Sequence, residues 1–166
     1  RLQISLHENL MNWQTAGKDH SLVLSEGQLL LVKGKEEGAF KLYSTPFLLQ
    51  FDKQEKQEYI LQLNKTTHDY SIYLSTFDLA LISQVSPLFI NTKQMREHLS
   101  ALNFNGQVNE IYFKEVSGEI NALADFSNVS MEYSQGIPGI ENLSGQLSFT
   151  QQNLHIELAA TEGELD

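Results

Sequence analysis

Period-two alternation of apolar and polar residues runs through most of this chain, and it predicts strands. Leu2, Ile4 and Leu6 alternate with Gln3, Ser5 and His7, the mark of a half-buried strand. Residues 21–25 and 28–33 flank Glu26-Gly27, read as a hairpin or bulge. The run Leu29-Leu30-Leu31-Val32 is apolar on both sides and calls for cover on both. Residues 40–43 and 47–51 follow as strands, with Pro46 marking an edge or a bend. Tyr59, Leu61 and Leu63, then Tyr70, Ile72 and Leu74, extend the series across polar turns at 52–57 and 64–69. Residues 9–17, which hold Trp13, read as turn.

The period then changes. Leu79, Ile82 and Val85 sit at helical spacing, with Asp78 or Thr76 placed to cap the helix and Pro87 to end it. A second helix is expected over 92–101, capped by Thr92. Strands return after Leu102. Residues 104–113 form one long strand or a hairpin bent at Gly106. Val116, Gly118, Ile120, Ala122 and Ala124 alternate next, then Val129, Met131 and Tyr133. A turn holding Gly136, Pro138 and Gly139 leads to Leu143, Gly145, Leu147 and Phe149, and then to Leu154, Ile156 and Leu158. The expected organisation is a strand segment over 1–76, a short helical insert over 77–101 and a β-meander over 102–166, as one continuous module.

Composition narrows the function classes. With 21 acidic against 11 basic residues the net charge is −10, which argues against nucleic acid and against charge-driven docking on an anionic membrane. There is no cysteine, so disulfides, thiol catalysis and Cys-ligated zinc are excluded. The longest apolar-leaning run, 77–90, is broken by Asp78, Gln84 and Pro87 and is not a bilayer span. The chain does not open with Met and reads as a segment of a longer protein, so missing targeting signals say nothing of location.

Candidate chemistry is sparse. His7, His20, His68, His98 and His155 are scattered and read as surface or turn residues; no metal role is expected. Glu36, Glu37, Asp52, Glu55 and Glu58 lie in charged turns, where a solvated role is expected. The Gly-x-Ser-x-Gly elbow is absent, and the glycines around Lys35 lack phosphate-loop spacing. The reading is no enzyme and no cofactor. What remains are aliphatic faces: Phe104, Val108, Ile120, Leu147, Phe149, Ile156 and Leu158 either fill a core or line an open groove. Periodicity does not separate the two, since both need the same alternation.

One phrase occurs twice: Asn103-Phe104-Asn105-Gly106-Gln107-Val108 and Asn142-Leu143-Ser144-Gly145-Gln146-Leu147. Together with Phe77-Asp78-Leu79-Ala80-Leu81-Ile82, the run from Ala122 to Ser130 and Pro138-Gly139-Ile140-Glu141-Asn142-Leu143-Ser144-Gly145, it resembles the AsmA-like family of Gram-negative envelope proteins, and a large member of it most. The resemblance covers about 77–166. It implies an elongated, curved antiparallel sheet, mainly β, groove- or taco-like, with two short helices near the middle. It implies a periplasmic part of an inner-membrane-anchored protein, with membrane contact only through parts of the parent chain outside these residues. The implied role is phospholipid transport between inner and outer membrane and maintenance of the outer-membrane barrier, without catalytic residues. Phospholipid acyl chains are the expected partner and other envelope proteins possible ones. Only the inward alternation carries over, giving Phe104, Val108, Ile111, Phe113, Ile120, Leu147, Phe149, Ile156 and Leu158 as groove candidates. The alternative is a β-sheet scaffold or protein-interaction module with a closed core.

Overall fold

The computed structural model describes residues 1–15, 18–81, 102–133 and 139–159. Within them the chain is mainly β, as its alternation predicts. The strands are β1 (Leu2–Leu6), β2 (Asn9–Thr15), β3 (Lys18–Ser25), β4 (Gly27–Lys33), β5 (Phe40–Ser44), β6 (Phe47–Phe51), β7 (Gln57–Tyr59), β8 (Leu61–Lys65), β9 (Tyr70–Asp78), β10 (Leu102–Val116), β11 (Glu119–Tyr133), β12 (Ile140–Thr150) and β13 (Asn153–Leu158). Nine strands pair in the order β1-β4-β5-β8-β9-β10-β11-β12-β13, and four in the order β2-β3-β6-β7. Two compact units divide the chain: Arg1–Ser75 with Tyr112–Asn121, and Thr76–Ile111 with Ala122–Asp166.

The first unit is built from long antiparallel arms, each bent once. Arms 2–15 and 18–33 pair along their whole length, from Leu2↔Leu31 to Leu6↔Gly27 in the larger sheet and from Asn9↔Leu24 onward in the smaller. Arms 40–51 and 57–65 repeat this, with Phe47↔Tyr59 in the smaller sheet and Tyr43↔Gln62 in the larger. The arms therefore change sheet at one level, near residues 7–8, 26, 45–46 and 60. Glu8 (φ 52°) and Glu26 (φ 59°) take left-handed backbone there. Gly27 is required at this level, because a Cβ on it would collide with the Cβ of Phe47 and sit 3.0 Å from the Pro46 carbonyl oxygen.

A bend frees backbone donors, and hydroxyls take them up. Gln28 N–H donates to Thr45 Oγ1 (2.9 Å), Leu61 N–H to Ser44 Oγ (2.8 Å) and Ile60 N–H to Ser75 Oγ (2.8 Å). Glu26-Gly27 is thus a corner between sheets, and Pro46 marks a bend as expected. Folding the arms over closes a core between the two sheets. Leu6, Phe47 and Tyr59 are buried there, with Leu29, Leu61 and Leu74 packed from one side and Leu24 and Leu49 from the other. Each fully buried side chain of this kind contributes about 1.5–3 kcal/mol.

Three expectations change. Residues 9–15 are strand, with Trp13 opposite His20. Ser117 (φ 52°) and Gly118 (φ 86°) are the tip of the β10–β11 hairpin, so Gly118 is a turn residue; positive φ at both central positions is what a tight hairpin demands. β9 runs on to Asp78 and leads into a single 3₁₀ turn, Leu79–Leu81, whose Ala80 N–H is capped by Asp78 Oδ1 at 2.9 Å. The rest of the first expected helix and the whole of the second, over 92–101, lie outside the described residues, as does most of the expected turn at 135–139.

In the second unit, β12 and β13 form a hairpin with Gly145↔Leu158, Leu147↔Ile156 and Phe149↔Leu154 directly opposed. Among its described residues only Leu81 and Ala124 are buried.

Candidate functional site

The β12–β13 hairpin sorts its side chains completely by face. Opposed residues share a face, so one face carries Gly145, Leu147 and Phe149 against Leu158, Ile156 and Leu154. The other carries Gln146, Ser148 and Thr150 against Glu157, His155 and Asn153. The apolar face is not covered by described residues: Phe149 is 37 % exposed, Ile156 51 %, Leu158 55 % and Leu154 60 %. β11 belongs to the same surface, because the missing side chain of Gly145 would point at Phe126 Cζ, 2.9 Å away.

Polar bonds hold the frame. Gln146 Nε2 donates to Asp125 Oδ1 (2.9 Å), and Ser144 Oγ accepts the N–H of Asn128 (3.1 Å). Thr76 Oγ1 donates to Asn109 Oδ1 (2.9 Å), and Asn109 Nδ2 reaches Ser127 Oγ (3.4 Å). Left-handed residues interrupt the strands at Glu110, Asn128 and Asn142, with φ of 50°, 51° and 54°. At Glu110 the alternation changes parity. Before it Phe104 and Val108 are the less exposed residues; after it Ile111 and Phe113 are. A one-residue bulge has this effect and keeps even- and odd-numbered apolar residues on one side.

Of the nine groove candidates, the structure brings Leu147, Phe149, Ile156 and Leu158 together on one face. Phe104, Val108 and Ile111 are half-buried along β10 of the same unit. Phe113 and Ile120 belong to the first unit, where Phe113 stacks on Tyr70 at 5.4 Å. Sequence reasoning missed Leu154 and Phe126, although both continue the alternation it used.

It also misplaced His20 and Asp52. His20 is 5 % exposed and stacks on Trp13 (5.6 Å, 27°), with Phe51 completing the cluster at 5.4 Å from Trp13. Asp52, at φ 50°, accepts the Ser21 N–H at 2.7 Å through Oδ1 and meets His20 Nδ1 at 3.1 Å through Oδ2. The carboxylate closes a corner of the sheet and is no freely solvated turn residue. Among the described residues no group of three His, Asp or Glu gathers as a metal site requires.

The profile of the YhdP protein family matches the chain over residues 1–166. The chain belongs to the YhdP family. No curated protein and no solved structure matches it. YhdP is a family of envelope proteins, so family membership directs attention to surfaces in this chain. In this YhdP segment the repeated glycine phrase has one physical meaning. Gly106 (φ 108°) lies against the backbone of Asn128 and Val129, and Gly145 against the Glu157 carbonyl. In both places the neighbouring strand comes too close for a Cβ.

Proposed function

We propose that this YhdP-family segment carries phospholipid acyl chains between the inner and outer membrane along the apolar face of its second unit, and so serves the outer-membrane barrier. The observation that carries the reading is the sorting of β12–β13, with exposed Phe149, Leu154, Ile156 and Leu158 and half-buried Leu147 on one face and polar side chains on the other. It acts as a surface, without catalysis or cofactor, in the periplasmic part of an inner-membrane-anchored protein. Exposing acyl chain to water costs about 0.8 kcal/mol per CH₂, so an apolar strip lowers the barrier to crossing an aqueous gap without any reaction. On β12 the apolar row from Gly145 to Phe149 offers ~16 Å of such strip at about 3.3 Å per residue. The face carries no charged side chain on these two strands, which favours sliding over tight binding.

The closed core of the first unit, around Leu6, Phe47 and Tyr59, favours a second role for that unit: a scaffold or interaction module.

Native mass spectrometry of the chain purified from bacterial cells, with lipid extraction of the same sample, tests the carrier reading. Wild type and Ser148→Asp, altered on the polar face, retain phospholipid; Leu147→Asp and Ile156→Asp lose it. Ile156 is half exposed, so its substitution leaves the fold intact. A lipid-free wild type that takes up no fluorescent phospholipid, or retention unchanged in both apolar-face variants, overturns the reading.

A further inference from the structure

The two occurrences of the glycine phrase differ where it matters chemically. The first reads Asn105-Gly106 and the second Ser144-Gly145, and Asn105-Gly106 is the one Asn-Gly pair in the sequence. Asn105 is exposed, and its Oδ1 accepts the N–H of Gly106 at 2.9 Å. The carboxamide is folded back onto the amide nitrogen that follows it, which is the approach that closing a five-membered ring requires. Gly106 has no Cβ to obstruct it, and its φ of 108° is backbone that only glycine adopts freely. Ser144 turns its hydroxyl elsewhere, accepting the Asn128 N–H at 3.1 Å, and has no carboxamide carbon to attack.

We infer that Asn105 is a site of covalent self-modification: it deamidates through a cyclic imide formed with Gly106, and the isoaspartate product unpairs β10 from the strand beside it. Hydroxide takes the Gly106 amide proton, and the nitrogen attacks Asn105 Cγ. The new N–Cγ bond forms as the Cγ–Nδ2 bond breaks, and Nδ2 leaves as ammonia with a proton from water. Water then opens the imide. Attack at Cγ restores the ordinary main chain as aspartate; attack at the main-chain carbonyl carbon leaves the chain routed through Cβ and Cγ as isoaspartate. The balance is one water in and one ammonia out, with no oxidant or reductant. Aspartate adds a negative charge at an exposed position and keeps the strand. Isoaspartate adds a carbon to the main chain next to Gly106, where even a Cβ would sit 2.6 Å from the Asn128 carbonyl oxygen and 2.7 Å from Val129 Cα. The lengthened strand cannot keep its place there. Residues 105–106 and 128–129 both belong to the second unit, so the change falls in the unit that bears the apolar face. The inference stands independently of lipid carriage.

Incubation of the whole chain at neutral pH in heavy-oxygen water, followed by digestion and peptide mass spectrometry, reads the reaction. The peptide holding Asn105 is expected to exchange its amide nitrogen for one heavy oxygen. It does so in the folded chain as fast as in urea or faster, because the fold holds the reacting groups together. Peptides holding Asn128 and Asn142 stay unlabelled. Asn105→Ser, which gives the first phrase the wording of the second, takes up no label there. The isoaspartate fraction, separated by chromatography, exchanges the Asn128 and Val129 amide hydrogens faster than unmodified chain does. Uptake that is slower in the folded chain than in urea overturns the inference, because the fold then protects the pair. Uptake at Asn128 or Asn142 as fast as at Asn105 overturns it too, and so does an isoaspartate fraction whose exchange is unchanged.

Discussion

Asp52 carries three separable loads, and substitutions pull them apart. Its Oδ1 accepts the Ser21 N–H at 2.7 Å, its Oδ2 meets the buried His20 at 3.1 Å, and its backbone is left-handed. A hydrogen bond to a charged acceptor contributes about 2 kcal/mol. Asp52 is 27 % exposed at its side chain, so the His20 pair is discounted for solvent screening to about 0.5–1 kcal/mol. Left-handed backbone costs Ala about 1 kcal/mol more than Asp or Asn. Asp52→Ala should therefore lose about 3–4 kcal/mol and Asp52→Gly about 2–3, since glycine keeps the backbone but not the bonds. Asp52→Asn should lose about 1, because its amide oxygen still accepts the Ser21 N–H and Asn tolerates the left-handed region. Urea unfolding followed by fluorescence reads this corner directly: Trp13 is the only tryptophan and stacks on His20. With slopes of about 1–3 kcal/mol/M, Asp52→Ala lowers the midpoint by roughly 1–4 M. An alanine variant within about 0.3 M of wild type, or Asn as damaging as Ala, refutes the assignment of loads.

Two further outcomes rest on single residues. Gly145→Ala places a Cβ against the Glu157 carbonyl and Phe126; forcing the strands apart costs about 1–3 kcal/mol, seen as faster hydrogen exchange at the Gln146 and Glu157 amides, and unchanged exchange would show that the strands yield freely. Tyr70 ionises above the ordinary phenol range because partial burial disfavours the phenolate and the Glu115 carboxylate bonds and repels it. The neutral phenol is the form the fold favours, so its stabilisation is complete below about pH 10 and is lost as pH rises through the folded value. In absorbance titration Tyr70→Phe should delete a phenolate step above the ordinary phenol range, and Glu115→Gln should bring that step earlier; loss of an ordinary-range component instead would contradict the assignment.

Alternation made the strands legible and left their sheets illegible. Leu2–Leu6 and Asn9–Thr15 look like separate short strands in sequence, yet they are two halves of one bent arm. The bend is produced by left-handed Glu8 and Glu26, and glutamate has no preference that announces it. Gly27 carries a signal, but the contact that demands it comes from Phe47, 20 positions away. Trp13 and His20 are hard to place for a related reason. Asn9, Asn12 and Gln14 have turn chemistry locally, and strand pairing with residues 18–24 overrides it. The Ser117-Gly118 tip is readable in principle, because Ser-Gly is a turn pair; counting Gly118 as one more alternating residue conceals it.

The candidate surface shows the same limit from the other side. The apolar residues are all visible in the sequence, but whether they form a core or an open face depends on what covers them. Leu6, Phe47 and Tyr59 alternate just as Leu147, Ile156 and Leu158 do, and only the first set meets a second sheet. The bend converts alternation into a core in the first unit. In the β12–β13 hairpin no described strand turns back over the apolar row. Bulges at Glu110 and Asn128 shift the parity of the strands they interrupt without folding them over. Two kinds of left-handed residue thus separate the two outcomes: corners at Glu8 and Glu26 that move the chain to another sheet, and mid-strand bulges that leave it in place. Where the described strands use only the second kind, no described strand covers the apolar face, and the proposed carrier role requires such a face.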